Sequence, residues 1–292
     1  MKKYEVEMME YLEIPEDAQN LFIKISDKLK SSAEYINVRK TYMNYVGSEE
    51  DIGVFCNIIE NIAKEIDEHY YSVSFVFILE SLVEVRERYK AIGASEEIYL
   101  ASIMDLKYKF DECLTNHGVY GTFVLWWFRR LLRASIFIIG RFNYEAIEFG
   151  SDRYEKDGVV INKGDTVLNL HIPPCGGMSD EVRIDSYNKA ADFYRDVLNI
   201  TAKAFICRSW LLSSVNREIL PPTSNIIAFM GDFDIIEENE QKTFPFSWRI
   251  FGKASTLPVN EWPEDTTLQR GYKKWILDGN YATTGYGVRI IK

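Results

Sequence analysis

The sequence predicts an α+β protein: an N-terminal helical bundle over residues 1–130, followed over residues 131–292 by a mixed β-sheet flanked by helices. Three observations predict this. Apolar residues in the first part recur at steps of three and four, the helical period. After Arg133 the period falls to two, and short alternating runs are separated by turn signals, EKDG (155–158) and NKGD (162–165). From Ser179 onward helical and strand periods alternate, which implies a sheet with helices packed on it.

In the first part, Leu21, Phe22, Ile25 and Leu29 share one helical face. Phe55, Ile58, Ile59, Ile62 and Ile66 repeat the pattern, and Ile98, Ile103, Leu106, Phe110 and Leu114 follow it more loosely. Breaks fall at Gly47-Ser48, Gly93-Ala94-Ser95 and Asn116-His117-Gly118. Ser48 and Ser95, each followed by acidic residues, are expected to cap the helices they precede.

In the second part, Phe142, Tyr144 and Ala146 alternate with Arg141, Asn143 and Glu145. This first strand and those at Val159–Ile161 and Thr166–Ile172 are expected to form a meander. A helix from Ser179 carries the stripe Tyr187, Ala190, Ala191, Tyr194, Val197 and Leu198. Lys203–Leu212 reads as a strand, and Ser214–Met230 as helical around Pro221-Pro222. Phe233–Ile236 and Phe246–Phe251 read as strands, Leu268–Leu277 as a helix, and Gly287–Ile291 as a closing strand.

Charge narrows the partners. The net charge of −10 is concentrated in residues 1–130, where 23 acidic side chains face 15 basic ones. Such a surface repels phosphate backbones, so nucleic acid is not an expected partner. The four cysteines (Cys56, Cys113, Cys175, Cys207) have no paired spacing that would hold zinc, and no metal is expected. The opening MKKYEVEMMEYLE lacks the apolar core of a signal peptide. The longest charge-free apolar stretch, near Cys113–Phe128, is interrupted by Asn116, His117 and two glycines, too polar to span a membrane. The expectation is a reduced, cytoplasmic protein without a membrane partner.

One stretch carries more than packing requires. LHIPPCGGMSDE (170–181) ends a strand at His171, one of three histidines, and starts a helix at Ser179 after two prolines, a cysteine and two glycines. It is either a ligand-binding turn or a tight connection.

IIGRFNYE (138–145), GDTVLNLHIPPCGGMSDE (164–181), DSYNKAADFY (185–194), CRSWLLS (207–213) and SNIIAFMGDFDI (224–235) resemble the GNAT-like C-terminal domain of a bacterial acyltransferase family. Its partner there is a helical N-acyltransferase N-terminal domain, similar to residues 1–130. The resemblance implies transfer of an acyl group from acyl-CoA or acetyl-CoA, the co-substrate, to a small-molecule or peptide amine. It implies that Val167–Ile172 and Lys203–Leu212 are parallel neighbours splaying apart near His171. The loop Pro173–Met178 then holds the pyrophosphate on N–H groups at a helix N-terminus, with Cys175, Gly176, Gly177, Met178 and Ser179 as the binding residues. The loop departs from the GNAT pattern: its glycines are adjacent, no Arg or Gln precedes them, and Asp180 and Glu181 occupy the first helical turn.

The candidate catalytic groups are His171, Glu145, Cys207 and Ser209. An imidazole exchanges a proton near neutral pH, so His171 is either the base for the amine or a ring bonded to the loop. Glu145 is either a base or the ion-pair partner of Arg141. Cys207, with Ser209 on the same strand face, is either an acyl carrier beside His171 or a buried packing residue. The alternative function is a non-catalytic GNAT-like ligand-binding or protein-interaction module.

Overall fold

Among the residues the computed structural model describes, 1–47 and 52–291, helices make up nearly all of a first unit, Met1–Phe137. They are α1 (Lys3–Tyr11), α2 (Glu16–Ser31), α3 (Tyr35–Gly47), α4 (Ile52–Glu65), α5 (Tyr70–Leu79), α6 (Leu82–Ala91), α7 (Glu96–His117) and the short α8 (Arg129–Leu132). No described strand precedes Ile136. The sequence of α5, YYSVSFVFIL, is apolar all round, and every residue from Ser72 to Leu79 is buried. Phe75 of this helix meets Phe22 of α2 and Phe110 of α7 with ring centroids 5.0 and 5.6 Å apart. Ser95 caps α7 as expected, accepting from the Ile98 N–H, and Gly118 ends it in the left-handed region at φ 68°. Leu114, expected on the core stripe, is exposed near that end. The cap expected at Ser48 lies outside the described residues. No described helix is long and apolar enough to cross a membrane.

The second unit, Ile138–Lys292, is built on a sheet of six strands in the order β1-β2-β5-β6-β8-β7. They are β1 (Ile136–Ile139), β2 (Phe142–Glu148), β3 (Arg153–Lys156), β4 (Val159–Asn162), β5 (Thr166–His171), β6 (Ala204–Ser209), β7 (Asp234–Gln241) and β8 (Ala282–Ile290), with β3 and β4 forming a separate hairpin. Helix α9 (Asp180–Asp196) crosses from β5 to β6, which pair in parallel. Helices α10 (Val215–Ile219), α11 (Asn225–Gly231), α12 (Trp248–Phe251) and α13 (Thr267–Leu277) follow.

Register decides which side chains share a face. Tyr144 opposes Leu170 across β2 and β5, and Leu168 opposes Phe205 across β5 and β6. This face takes α9: Tyr144 and Ser186 share a hydroxyl hydrogen bond of 2.8 Å, and Tyr187 stacks on Phe142 at 5.6 Å. The opposite face carries Val167, Ile206, Tyr286 and Val288, covered at one end by Phe149, Tyr154 and Ile161 from the hairpin side. Beyond that cover, the same face presents Glu145, Asn169 and His171.

Three expectations need correction. The meander is absent, because β2 pairs directly with β5 and the intervening β3–β4 hairpin folds over the sheet face. Phe246–Phe251 is a turn leading into α12, not a strand. Adjacent Ile250 and Phe251 both serve the cluster around Trp262 and Tyr272, which strand alternation forbids. The strand expected at Phe233–Ile236 is present as the edge strand β7 and runs on through a polar, mostly exposed stretch to Gln241, which no apolar alternation marks. The closing strand begins earlier than expected, at Ala282, and runs through Gly285 and Gly287.

Those glycines answer a packing demand. A Cβ at Gly285 would lie 2.2 Å from the Leu212 carbonyl oxygen, because the 3-10 turn Trp210–Leu212 presses on β8 there. Gly285→Ala must displace backbone, and we expect a loss of about 1–3 kcal/mol, read as a lower urea midpoint. An unchanged midpoint would contradict this contact.

Candidate active site

The connection from β5 to α9 is held from beneath by two arginines. Arg141, between β1 and β2, donates from Nε to the Gly177 carbonyl at 3.1 Å and from Nη1 to the Pro173 carbonyl at 3.0 Å. Its Nη1 also lies 3.6 Å from Cys175 Sγ. Arg183, on the inner face of α9 and 2 % exposed, donates from Nη1 to the Met178 carbonyl at 2.6 Å. Asp232 at the C-terminus of α11 takes the rest of that guanidinium through two bonds of 2.6 and 3.2 Å. Burial disfavours the Arg183 cation, but Asp232 outweighs it and the pKa is raised.

The carbonyls of Pro173, Gly177 and Met178 therefore turn inward. Gly176 and Gly177 are exposed, and a Cβ on either would meet nothing within 4 Å. Gly176 has φ 54°, which favours glycine at this bend. Ser179 is the N-cap of α9, and its side chain makes no capping bond. Of the two acids in the first turn, Asp180 pairs with Arg183 Nη2 at 2.9 Å. The Arg141 guanidinium and a helix N-terminus thus stand behind an open glycine surface, an arrangement that attracts anions, while the Arg183 charge is met by Asp232 and Asp180.

Past the loop, His171 Nε2 lies 2.7 Å from Glu145 Oε1, and Asn169 Nδ2 donates to the same oxygen at 2.9 Å. Glu145 is buried on β2 opposite Asn169, one rung from His171. An ionised carboxylate there accepts a hydrogen from Nε2 and leaves Nδ1 as the nitrogen that can take up a proton. Parallel pairing of β5 with β6 covers Leu168–Phe205 and Asn169–Ile206 only, although both strands run on. The main chains therefore part beside His171.

The structure does not bring all candidates together. Cys207 and Ser209 stand on the α9 face of β6, in step with Phe205, on the opposite side of the sheet from His171 and Glu145. Burial pushes the Cys207 thiol up to about 12, which suppresses the reactive thiolate. Ser209 accepts from the Leu211 N–H and caps the 3-10 turn. Cys175 is half-buried in the loop beside Arg141.

Sequence reasoning missed Asn169, Arg183 and the loop-holding role of Arg141. Asn169 lay on the polar side of its strand, two residues before His171. Arg183 broke the apolar stripe of α9 one turn before Tyr187, the one signal that pointed to it.

Two measurements check this geometry. Arg183→Met strips the partly covered Asp232 carboxylate of its cation and should cost about 1.5–3 kcal/mol in chemical denaturation; a loss below ~0.5 kcal/mol would contradict the pairing. Under native conditions at pH 8, iodoacetamide should alkylate Cys175 and spare Cys207, as read by peptide mass spectrometry. Equal rates at the two thiols would contradict their placement.

Comparison with known proteins agrees with the fold. Residues 136–289 match the family described as the GNAT-like C-terminal domain, and residues 5–134 match the N-acyltransferase N-terminal domain. No curated protein matches the chain by sequence. Among solved structures, it is similar to an acyltransferase in complex with decanoyl-CoA, at 22 % identity and TM-score 0.65, over 75 % of this chain and 66 % of that one. The same comparison gives an acyltransferase in complex with decanoyl-CoA and teicoplanin, at 19 % identity and TM-score 0.66, over 76 % of this chain and 68 % of that one. An acyltransferase mutant in complex with octanoyl-CoA aligns over 100 % of this chain and 88 % of its own, at 15 % identity and TM-score 0.75. The chain spans just under two thirds of the first of these structures, and at such identities the likeness concerns the fold. With more than half of its length matched by residues 136–289, the chain belongs to the family of the GNAT-like C-terminal domain, carried behind an N-acyltransferase N-terminal domain.

Proposed function

We propose that the protein transfers an acyl group from acyl-CoA to an amine acceptor, a small molecule or a peptide, by direct attack. The observation that carries this reading is the loop Pro173–Met178, open on its glycine side, backed by Arg141 and Arg183, and set where β5 and β6 part beside His171. Loop and helix N–H groups of Gly176–Asp180 take the pyrophosphate. The pantetheine arm follows the parting strands, which brings the thioester to the His171 side of the sheet.

The amine attacks the thioester carbonyl as His171 Nδ1 accepts its proton. The C–N bond forms, the C–S bond breaks, and the thiolate of CoA leaves with its electron pair. Glu145, bonded to Nε2, stabilises the imidazolium formed in this step. The imidazolium then returns its proton to the thiolate or to water. Cys207 and Ser209, on the other face, have no part in this scheme. Octanoyl-CoA and decanoyl-CoA, bound by the solved neighbours, are the first donors to test, and teicoplanin the first acceptor.

A saturating acyl-CoA at ~100 times its Kd should stabilise the fold by about 2.7 kcal/mol and raise the melting temperature. Gly177→Val, which fills the open side of the loop, should remove that shift. His171→Ala should keep the shift and lower turnover by about 10²–10⁴-fold. No shift with octanoyl-CoA or decanoyl-CoA would overturn the proposal. A shift with no turnover on any amine would leave the ligand-binding module as the reading.

A further inference from the structure

We infer that Asn169 is a positioning residue that holds the Glu145 carboxylate, and through it the His171 ring, in the form acyl transfer requires. The inference rests on the function proposed above. Three atoms form a tight triangle: Glu145 Oε1, His171 Nε2 at 2.7 Å from it, and Asn169 Nδ2 at 2.9 Å from the same oxygen. The third side, Asn169 Nδ2 to His171 Nε2, measures 3.1 Å.

The triangle admits few hydrogen arrangements. With Glu145 ionised, Oε1 is an acceptor, and both nitrogens satisfy it only by donating. Turning the Asn169 amide over would set Oδ1 against Oε1, two acceptors at hydrogen-bond distance, so the carboxylate fixes the amide and the amide fixes the carboxylate. Glu145 is buried, so an N–H on its carboxylate replaces a hydrogen bond that water would otherwise supply. The effect matters most when His171 holds the proton of the amine, because a neutralised Glu145 would no longer stabilise the imidazolium.

The backbone explains why this residue can do so. Asn169 opposes Glu145 across β2 and Ile206 across β6, the last paired rung before β5 and β6 part. It is thus tied to strands on both sides, while His171 lies where only β2 pairs with β5. The amide carries the rigidity of the paired sheet one rung outward to the base.

The test compares Asn169→Ala and Asn169→Asp at pH 8. Acyl transfer from octanoyl-CoA should lose about tenfold or more in kcat in the Ala variant, with KM for octanoyl-CoA changed less than about twofold. The Asp variant, closest in shape, should be worse than Ala because it places a second carboxylate against Glu145. A space-filling role predicts the opposite order. The chain has three histidines, so ring ¹⁵N spectra of the ligand-free protein, with His171→Gln as the assignment control, read the His171 tautomer without any reaction. Wild type should carry its hydrogen on Nε2, and Asn169→Ala should move toward a tautomer mixture while the His69 and His117 signals stay in place. An identical His171 signature in wild type and Asn169→Ala overturns the inference, as does an Asp variant as active as wild type. If wild type transfers no acyl group, the proposed function fails, and the ring signature still decides the role of Asn169.

Discussion

Arg141 and Arg183 determine the shape of the segment on which the functional reading depends. A connection of two prolines and two glycines has no preferred form of its own that would present N–H groups on one side. Pinning the carbonyls of Pro173, Gly177 and Met178 to buried guanidinium groups supplies that form. Burying two cations is expensive, several kcal/mol for each ion. Asp232 offsets part of that cost at Arg183, and carbonyl acceptors satisfy the donors that remain. The same clamp answers the departure of the loop from the GNAT pattern. Arg141 brings a cation from the start of β2 where the loop has none, and Arg183 holds Asp180 in the first turn through Nη2, although Asp232 already matches its charge.

The sheet keeps packing and chemistry on separate faces. The α9 face is an aromatic core of Phe142, Tyr144, Tyr187 and Phe205, and Cys207 belongs to it. Across the sheet, the β3–β4 hairpin covers one end and leaves Glu145, Asn169 and His171 beyond it. Strand alternation alone produces this division, since a shift of one residue in β5 would exchange Leu170 with His171. The parallel pair then parts beside the polar group.

Much of this was legible in the sequence because it rests on local period. The stripes of α2, α4 and α7, the Ser95 cap, and the strand-to-helix handover at 170–181 are all properties of neighbouring residues. What escaped depended on distant ones. The β3–β4 hairpin reads as part of a meander until tertiary pairing joins β2 to β5. Phe246–Phe251 reads as a strand until the adjacent Ile250 and Phe251 are both seen to join the cluster of Trp262 and Tyr272. Parallel pairing alone sets Cys207 near His171, and only the register puts them on opposite faces. Arg183 on an apolar stripe was a local anomaly, and its partner Asp232 lies 49 residues away.

As a cradle for the pyrophosphate of a CoA thioester, the clamped loop must distinguish ligands that carry that group from ligands that lack it. Titration calorimetry of CoA against pantetheine, which keeps the thiol arm and lacks the pyrophosphate and nucleotide, tests it directly. The account predicts that CoA binds about 100-fold tighter or more, a difference of ~2.7 kcal/mol, and that added salt narrows the gap. Equal affinity for the two, or a gap indifferent to Arg141→Met, would contradict it.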